Sequence, residues 1–190
     1  MRLLFHSCCG PCVSGCLEIL RTENISPELF WYNPNIHPYT EYSSRRDSLA
    51  QLSAAENLEL IMIDDYGLND FIRGIGTHLE DGPKTEEALR CLYCYRIRLE
   101  KTAAHAAENG YDAFSTSLLV SPYQRHDVIR NMGGELAEQH KVAFLYRDFR
   151  EHFREGQNKA RDRGLYMQKY CGCIFSADER TKRGSSKITC

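Results

Sequence analysis

Short apolar stretches alternate with longer amphipathic stretches along this chain of 190 residues. The apolar stretches have the length of β-strands and are rich in leucine, valine, isoleucine and aromatic residues. Polar segments or segments containing proline and glycine interrupt them, as expected at strand ends. The pattern predicts strands at residues 2–7, 28–33, 58–64, 112–121 and 142–149.

The stretches between these strands have the spacing of helices. Val13, Leu17 and Leu20 recur at helical intervals after Pro11, a residue that suits a first helical turn because its missing N–H needs no partner there. Gly110 is a favourable end for the longest helical pattern. Helices are predicted from residue 11 onward, at 40–57 and 85–110, and in the polar stretch after Pro122.

This alternation predicts an α/β fold, with an open and mostly parallel sheet and helices on both of its faces. In such sheets, ligands bind outside the carboxyl ends of the strands. The segment HSCCGPCVSGC follows the first predicted strand and therefore lies at that edge. We expect a single catalytic domain over residues 1–176 and a polar C-terminal tail over 177–190.

Composition narrows the class of protein only slightly. Hydrophobic residues make up 42% and charged residues 26%, as in ordinary folded proteins, and no apolar run approaches the ~20 residues of a membrane helix. We therefore expect a cytoplasmic protein without a membrane partner. Residues 1–90 hold 7 Lys/Arg and 14 Asp/Glu, whereas residues 91–190 hold 17 and 12. The basic half would suit a phosphate backbone, although solvated helix faces explain the same charges.

Nine cysteines are many for a cytoplasmic chain, in which disulfide frameworks are rare. Cys16 falls on the apolar side of the first helix and Cys190 is the last residue, so both are set aside. The other seven fall into three groups whose spacing suits chelation, and a cysteine-rich metal site is expected at the carboxyl edge of the sheet. The groups are Cys8, Cys9 and Cys12; Cys91 and Cys94; and Cys171 and Cys173.

Seven thiols exceed the four ligands of a structural zinc site or of an iron–sulfur cluster. A cluster would leave three thiols, enough for a second metal with an open position. A zinc-stabilised RNA-binding module is an alternative. A dithiol oxidoreductase that uses Cys9 and Cys12 alone is another, but it leaves the other clustered cysteines unexplained.

Several segments together resemble the family of cobalamin-independent epoxyqueuosine reductases. They occur in the family's order and span His6 to Ser176. One position departs from the family pattern, since Met167 stands where arginine is expected. The matching segments are HSCCGPC, YNPNIHPYTEYSSR, RCLYCYRIRL, FSTSLLVSPYQ, YRDFRE with FREGQ, and YMQKYCGCIFS.

The resemblance implies an adenine-nucleotide-hydrolase-like fold and an oxidoreductase. The implied reaction converts epoxyqueuosine, at the wobble position of a tRNA anticodon, to queuosine, and is the last step of queuosine biosynthesis. The implied cofactor is a [4Fe–4S] cluster without cobalamin, and the three spare thiols leave room for an additional mononuclear iron. The implied partners are tRNA carrying epoxyqueuosine and an external low-potential electron donor.

Candidate proton donors and tRNA contacts follow from residue type and position. Side chains near the ends of predicted strands could donate a proton or, for tyrosine, stack on a base: His6, Tyr32, His37 and Tyr123. Each also has a structural explanation. Cations on the predicted helices could contact tRNA phosphates, although each could equally be a solvated surface charge: Arg45, Arg46, Arg96, Arg98, Lys159, Arg161 and Arg163.

Overall fold

One parallel sheet organises the molecule, with the strand order β3-β2-β1-β4-β5. The structure is a computed structural model and describes residues 1–76 and 86–183. The strands are β1 (Leu3–His6), β2 (Pro27–Trp31), β3 (Leu60–Met62), β4 (Ala113–Thr116) and β5 (Ala143–Phe144).

Helices connect the strands. Two short 3-10 helices, Ser117–Val120 and Arg150–His152, occur beside the α-helices. The α-helices are α1 (Gly10–Thr22), α2 (Tyr39–Glu56), α3 (Leu68–Gly76), α4 (Glu86–Glu108), α5 (His126–His140), α6 (Phe153–Asp162) and α7 (Ile174–Arg183).

The first strand, β1, lies at the centre of the sheet and is buried along its whole length. It pairs with β2 on one side, where Leu3 is opposite Pro27, and with β4 on the other, where Leu3 is opposite Ala113. The chain therefore builds the sheet outward from β1 in one direction and then returns to build it in the other. The carboxyl ends of β1 and β4 flank the point at which this direction reverses, which is where open α/β sheets bind ligands.

Neighbouring side chains of β2 show that both faces of the sheet are covered. The Phe30 ring packs 4.9 Å from the ring of His105 on α4, whereas the next residue, Trp31, packs 5.3 Å from Tyr42 on α2. Successive side chains of a strand point to opposite faces, so α4 and α2 lie on opposite sides. Helix α5 packs with α4, and helices α1, α2 and α6 pack together. The predicted open parallel sheet with helices on both faces is confirmed.

The strand predicted over 112–121 is wrong beyond Thr116. The Thr116 hydroxyl accepts a hydrogen bond from the Leu118 N–H and begins a 3-10 helix, so the apolar residues that follow are buried without strand geometry. The predicted strand 142–149 is also shorter, since only Ala143 and Phe144 pair with β4. The long predicted helix is observed as α4, and its first predicted residue, Thr85, lies outside the described residues.

The spacing of apolar residues did not predict α3, α6 or α7. Helix α7 runs across the expected boundary after Ser176, and an ion pair of 2.5 Å between Arg90 and Glu179 holds it against α4. The rest of the expected tail, residues 184–190 with Cys190, lies outside the described residues. In the described part of the chain, no helix combines the length and the apolarity needed to cross a membrane.

Candidate metal and substrate site

A pocket opens at the carboxyl ends of β1 and β4. Cys8, which follows β1, and Ser117, which follows β4, lie on its walls. The described residues that line it include neither Asp, Glu nor His, but they include thiols, guanidinium groups, amides and aromatic rings. They are Cys8, Cys12, Asn35, Ile36, Arg45, Arg98, Ser117, Leu118, Ser121, Tyr123, Gln124, Phe153, Gln157, Gln168, Tyr170 and Cys171.

Cys8, Cys9 and Cys12, called here the three-thiol set, form at the corner between β1 and α1. Their sulfur atoms all lie within 4.8 Å of one another, and the Cys8 and Cys9 sulfurs are 3.8 Å apart. A single ion bound to sulfur at about 2.3 Å can bridge ligands up to about 4.6 Å apart, which is close to this spacing. Among the described residues, no other three Cys, His, Asp or Glu ligand atoms lie this close together.

Hydrogen bonds fix the orientation of these thiols. The Gln168 side chain bridges two of them, since its Oε1 accepts from Cys9 Sγ and its Nε2 donates to Cys12 Sγ, each at 3.2 Å. The Ser117 hydroxyl donates to Cys8 Sγ at 3.4 Å. A hydrogen bond from the Cys12 thiol, together with the contact to Cys9 Sγ, lowers the pKa of Cys8 well below its usual value. Burial raises the pKa of Cys9. One thiol of the set is therefore predisposed to be anionic.

The other four cysteines, called the four-thiol set, come from distant parts of the chain: Cys91, Cys94, Cys171 and Cys173. Cys94, from α4, packs in one buried cluster with Cys173 and Phe71. Burial raises the pKa of Cys94, and the nearby thiols Cys171, Cys173 and Cys91 raise it further. The sheet edge thus brings α4 and the loop at 171–173 together around four sulfur atoms.

A buried ionic network fixes the loop of the four-thiol set. Arg45 of α2 is 2% exposed, and its Nε lies 2.7 Å from Glu41 Oε1. Its other nitrogens donate to the backbone oxygens of Cys171, at 3.0 Å, and Tyr170, at 2.8 Å. Gly172 has φ +132°, a conformation that side chains rarely adopt, and its carbonyl accepts from the His37 N–H. The turn between the two cysteines therefore depends on α2 and on a glycine.

The predicted proton donors lie in different environments. His6 is buried, with hydrogen bonds of 2.9 Å to Thr116 and 3.2 Å to Asn33, and burial lowers its pKa to about 4. His37 is also buried, and burial lowers its pKa to about 4. Tyr32 is half-buried, 6.0 Å below the Lys101 ammonium. Of the four, Tyr123 alone lines the pocket, with 45% of its surface exposed.

The predicted tRNA-binding cations also separate into two kinds. Arg45 and Arg98 are each 2% exposed and line the pocket, so they are not surface residues. The others lie nearer the surface and, Arg161 apart, pair with carboxylates of the chain: Arg46 with Asp47 and Asp64, Arg96 with Glu100 and Glu135, Lys159 with Glu18 and Glu155, and Arg163 with Glu56. Arg161 is exposed and donates to Asn158.

Several neutral side chains of the pocket were not singled out from the sequence. Gln168 contacts two thiols, and Gln124 donates to Cys171 Sγ at 3.6 Å. Gln168 lies inside the segment YMQKYCGC, three residues before Cys171. The sequence therefore shows that Gln168 is near these cysteines but does not show which thiols it contacts. Met167, the departure from the family pattern, is half-buried and packs against the main core.

Fold and site together define a parallel α/β protein with a thiol-lined pocket at the sheet's reversal point. Buried thiols in this number are ligands for soft metals and iron–sulfur centres, so the donor set fits the cofactor that the resemblance implies. The family model described as "Epoxyqueuosine reductase QueH" matches residues 3–179. The chain belongs to the epoxyqueuosine reductase QueH family, which confirms the resemblance, and is an oxidoreductase.

Relatives of nearly full length support this assignment. An epoxyqueuosine reductase QueH of Dehalococcoides mccartyi is 35% identical over 185 residues, covering 97% of each chain. One of Thermotoga maritima is 34% identical, covering 95% of this chain and 93% of its own. One of Acinetobacter baylyi is also 34% identical, with 98% and 87% covered.

A solved structure shows a similar fold. It is described as the predicted subunit of a tRNA methyltransferase from Methanocaldococcus jannaschii, and its TM-score is 0.52. The similarity covers 83% of this chain and 76% of the other. Sequence identity is 13%, so this likeness concerns the fold alone.

Proposed function

We propose that the chain reduces the epoxide of epoxyqueuosine in tRNA to the alkene of queuosine, with an iron–sulfur centre held in the pocket. The observation that carries the proposal is that cysteines of both sets line one pocket at the reversal point of the sheet. The described lining offers no carboxylate or imidazole to act as the general base of a hydrolase. Its thiols instead suit redox chemistry, which is the kind of reaction that a reductase catalyses.

The balanced equation of the reaction defines what the site must supply. Converting an epoxide to an alkene consumes two electrons and two protons and releases one water molecule. Cysteine thiols are the redox-active side chains of the pocket, and two of them could give two electrons only by forming a disulfide in each turnover. A thiolate-bound metal centre recharged by an external low-potential donor supplies the electrons without that step.

The spacing of the thiols suggests how two metal groups would divide them. The close three-thiol set suits one ion, here a mononuclear iron with an open position. A [4Fe–4S] cluster binds each of four thiolates through a different iron and so needs a wider arrangement, which suits the four-thiol set. When bound, these groups would supply electrons and a Lewis acid for the epoxide oxygen, with no need for cobalamin.

The chain's own side chains would bind the substrate and hold protons. The amides of Gln124 and Asn35 can hydrogen-bond the hydroxyl groups of the cyclopentane ring. The Tyr123 phenol, the predicted donor that lines the pocket, can hold a proton for the departing oxygen. His6 has both ring nitrogens hydrogen-bonded within the fold and would hold the β1 corner in place.

Recognition of the tRNA would involve the exposed cations and the rim of the pocket. An anticodon base must leave its stack to place the cyclopentane ring beside the thiols. The exposed Tyr123 and neighbouring Phe153, whose ring centroids are 6.1 Å apart, offer aromatic surface for such a base. Arg46, Arg96, Lys159 and Arg161 would contact phosphates, in the cytoplasm, where tRNA is modified.

The first test is metal analysis of protein purified without oxygen. We expect a brown protein with visible absorption from thiolate–iron charge transfer, and more iron than acid-labile sulfide. Reduction by dithionite should then support conversion of an epoxyqueuosine-containing anticodon stem-loop, followed by mass spectrometry as the loss of one oxygen atom. A colourless protein with zinc and no sulfide would instead favour the zinc-stabilised RNA-binding module.

Serine substitutions test the division of the thiols. Cys94→Ser should abolish the cluster absorption, and Cys12→Ser should remove the iron in excess of sulfide. Both should lose turnover. Cys16→Ser is the matched control, because Cys16 is buried one turn after Cys12 and its thiol donates to the Cys12 carbonyl, a bond that serine can keep. Activity that needs only Cys9 and Cys12 would favour the dithiol oxidoreductase.

A further inference from the structure

Arg98 is a buried cation on the wall of the pocket. It lies on α4, one helical turn after Cys94, and 2% of its surface is exposed. Its Nε donates to the Cys94 carbonyl at 2.8 Å and its Nη2 donates to Cys94 Sγ at 3.0 Å. The Tyr95 ring lies 6.0 Å from its guanidinium carbon. The guanidinium group therefore contacts sulfur, a carbonyl and a ring and is almost wholly shielded from solvent.

Among the buried arginines of the described segments, Arg98 differs in having no carboxylate partner there. Arg45 pairs with Glu41, and Arg90 pairs with Glu179. In the part of the chain that the structure describes, no Asp or Glu lies within ion-pair distance of Arg98. Burial of an unpaired charge is strongly unfavourable, so the compensating negative charge must come from another chemical group.

Thiols of both sets provide that group. Arg98 lines the same pocket as Cys8 and Cys171 and donates to Cys94 Sγ, and the charges of these three thiols act on it, as do those of Tyr95 and the buried His6. Cys94 and Cys171 belong to the four-thiol set and Cys8 to the three-thiol set, so Arg98 lies between the two. Metal-bound cysteines are thiolates, and they would give Arg98 the counter-charge that no described carboxylate supplies.

We infer that Arg98 is the built-in counter-cation of the thiolate–metal centre, shared by both cysteine sets, and that it raises the reduction potential of that centre. The inference rests on the proposed function, because it concerns the same centre. Arg98 is thus a residue that acts through the thiolates and not a contact for tRNA phosphate. It would leave phosphate binding to the exposed cations.

The sign of the effect follows from charge. Reduction adds an electron, and a nearby positive charge stabilises the more negative, reduced form. The hydrogen bond to Cys94 Sγ acts in the same direction, since net charge and hydrogen bonds to sulfur set such potentials. A neutral side chain at this position should therefore move the midpoint potential to a more negative value.

The experiment is a redox titration of the reconstituted, full-length protein, followed by electron paramagnetic resonance. We expect a more negative midpoint potential in Arg98→Gln, and a potential nearer the wild type in Arg98→Lys, which keeps the charge. Arg96→Gln is the matched control. It lies two residues away on α4, is 44% exposed and pairs with Glu135 at the surface, so its potential should be unchanged.

The outcomes distinguish an effect of the positive charge of Arg98 from an effect of the shape of its side chain. An unchanged potential in Arg98→Gln, or an equal shift in Arg98→Gln and Arg98→Lys, would overturn the inference. If Arg98→Gln takes up no metal, loading of Arg98→Lys supports the counter-cation, and failure of both variants overturns it. A wild-type protein without a redox-active centre would instead refute the proposed function itself.

Discussion

The two cysteine sets reach the same pocket by different routes. The three-thiol set comes from one corner, where the end of β1 meets the first turn of α1. The four-thiol set comes from α4 and from a loop near residue 172, which a buried arginine on α2 holds in place. One set is therefore mostly local in the sequence, whereas the other exists only when distant elements have docked.

Because of this difference, the two cysteine sets depend on different stabilising interactions. The three-thiol corner needs β1 in the sheet and a few hydrogen bonds, among them those of Gln168. The four-thiol set depends on a buried ion pair and on a glycine with positive φ, neither of which supplies a thiol. Substitutions of residues that are not cysteines should therefore damage the four-thiol set first.

The largest effect is expected for Glu41→Leu. The change leaves Arg45 buried without its counter-charge and removes the acceptor of the Tyr166 hydroxyl. Removing one partner of a buried pair lowers the free energy of unfolding by about 3–5 kcal/mol. Urea denaturation of the metal-free protein measures this loss, and absorption after reconstitution reports whether the four-thiol set still assembles.

The neighbouring arginine provides the control for that change. Arg46 is 22% exposed and pairs with Asp47 and Asp64, which are 62% and 49% exposed. Arg46→Gln should change the free energy of unfolding by less than about 1 kcal/mol. If Glu41→Leu were as mild as Arg46→Gln, the buried network would not be what holds the loop.

An intermediate effect is expected for Gly172→Ala. At φ +132° a side chain is strained, which costs about 1–3 kcal/mol, and a methyl group there would lie 3.2 Å from Arg45 Nη1. Cluster absorption should fall while the metal of the three-thiol set is kept. Gly134→Ala, in the open middle of α5, should instead stabilise the protein by up to about 1 kcal/mol. Equal stability of the two variants would argue against strain at Gly172.

The smallest effect is expected for Gln168→Leu, and it should fall on the three-thiol set. The change removes two contacts to sulfur, a weak hydrogen-bonding atom, with a loss of about 0.5–1.5 kcal/mol. Iron in excess of sulfide should be lost faster to a chelator, with cluster absorption unchanged. Gln157→Leu, in the same pocket, should leave both quantities at the wild-type level. If Gln157→Leu lost its iron to the chelator faster than Gln168→Leu did, the hydrogen bonds of Gln168 would not be what orients the thiols.

The sequence predicted the sheet and the position of the three-thiol set because both depend on local patterns. Continuous apolar runs produce buried strands, and a corner after β1 must lie at the carboxyl edge. The end of β4 was missed because the apolar run continues through Val120, and hydrophobicity does not distinguish a buried strand from a buried 3-10 turn. The Thr116 hydroxyl caps the 3-10 helix that replaces the strand, and this contact is a property of the folded chain.

The buried arginines, in contrast, could not be recognised from the sequence. Arg45 lies among polar residues in α2 and Arg98 follows Arg96 in α4, so the spacing gave no reason to separate them from surface cations. Burial of Arg45 becomes favourable through Glu41, one turn earlier, and through two carbonyl groups about 125 residues later. Such partners come together only in the tertiary structure, so a one-dimensional pattern does not reveal them.

The central position of β1 also has a consequence for how the protein is made. The Cys8 N–H donates to the Ser117 hydroxyl, a residue 109 positions later, and β1 lacks one neighbour until β4 exists. On the ribosome, the first cysteines therefore emerge long before the walls of their pocket. Pairing of such distant strands is slow compared with local structure. The proposed iron would meet exposed thiols without a cage if it were delivered during translation, so in the proposed enzyme its loading would follow release and folding of the chain.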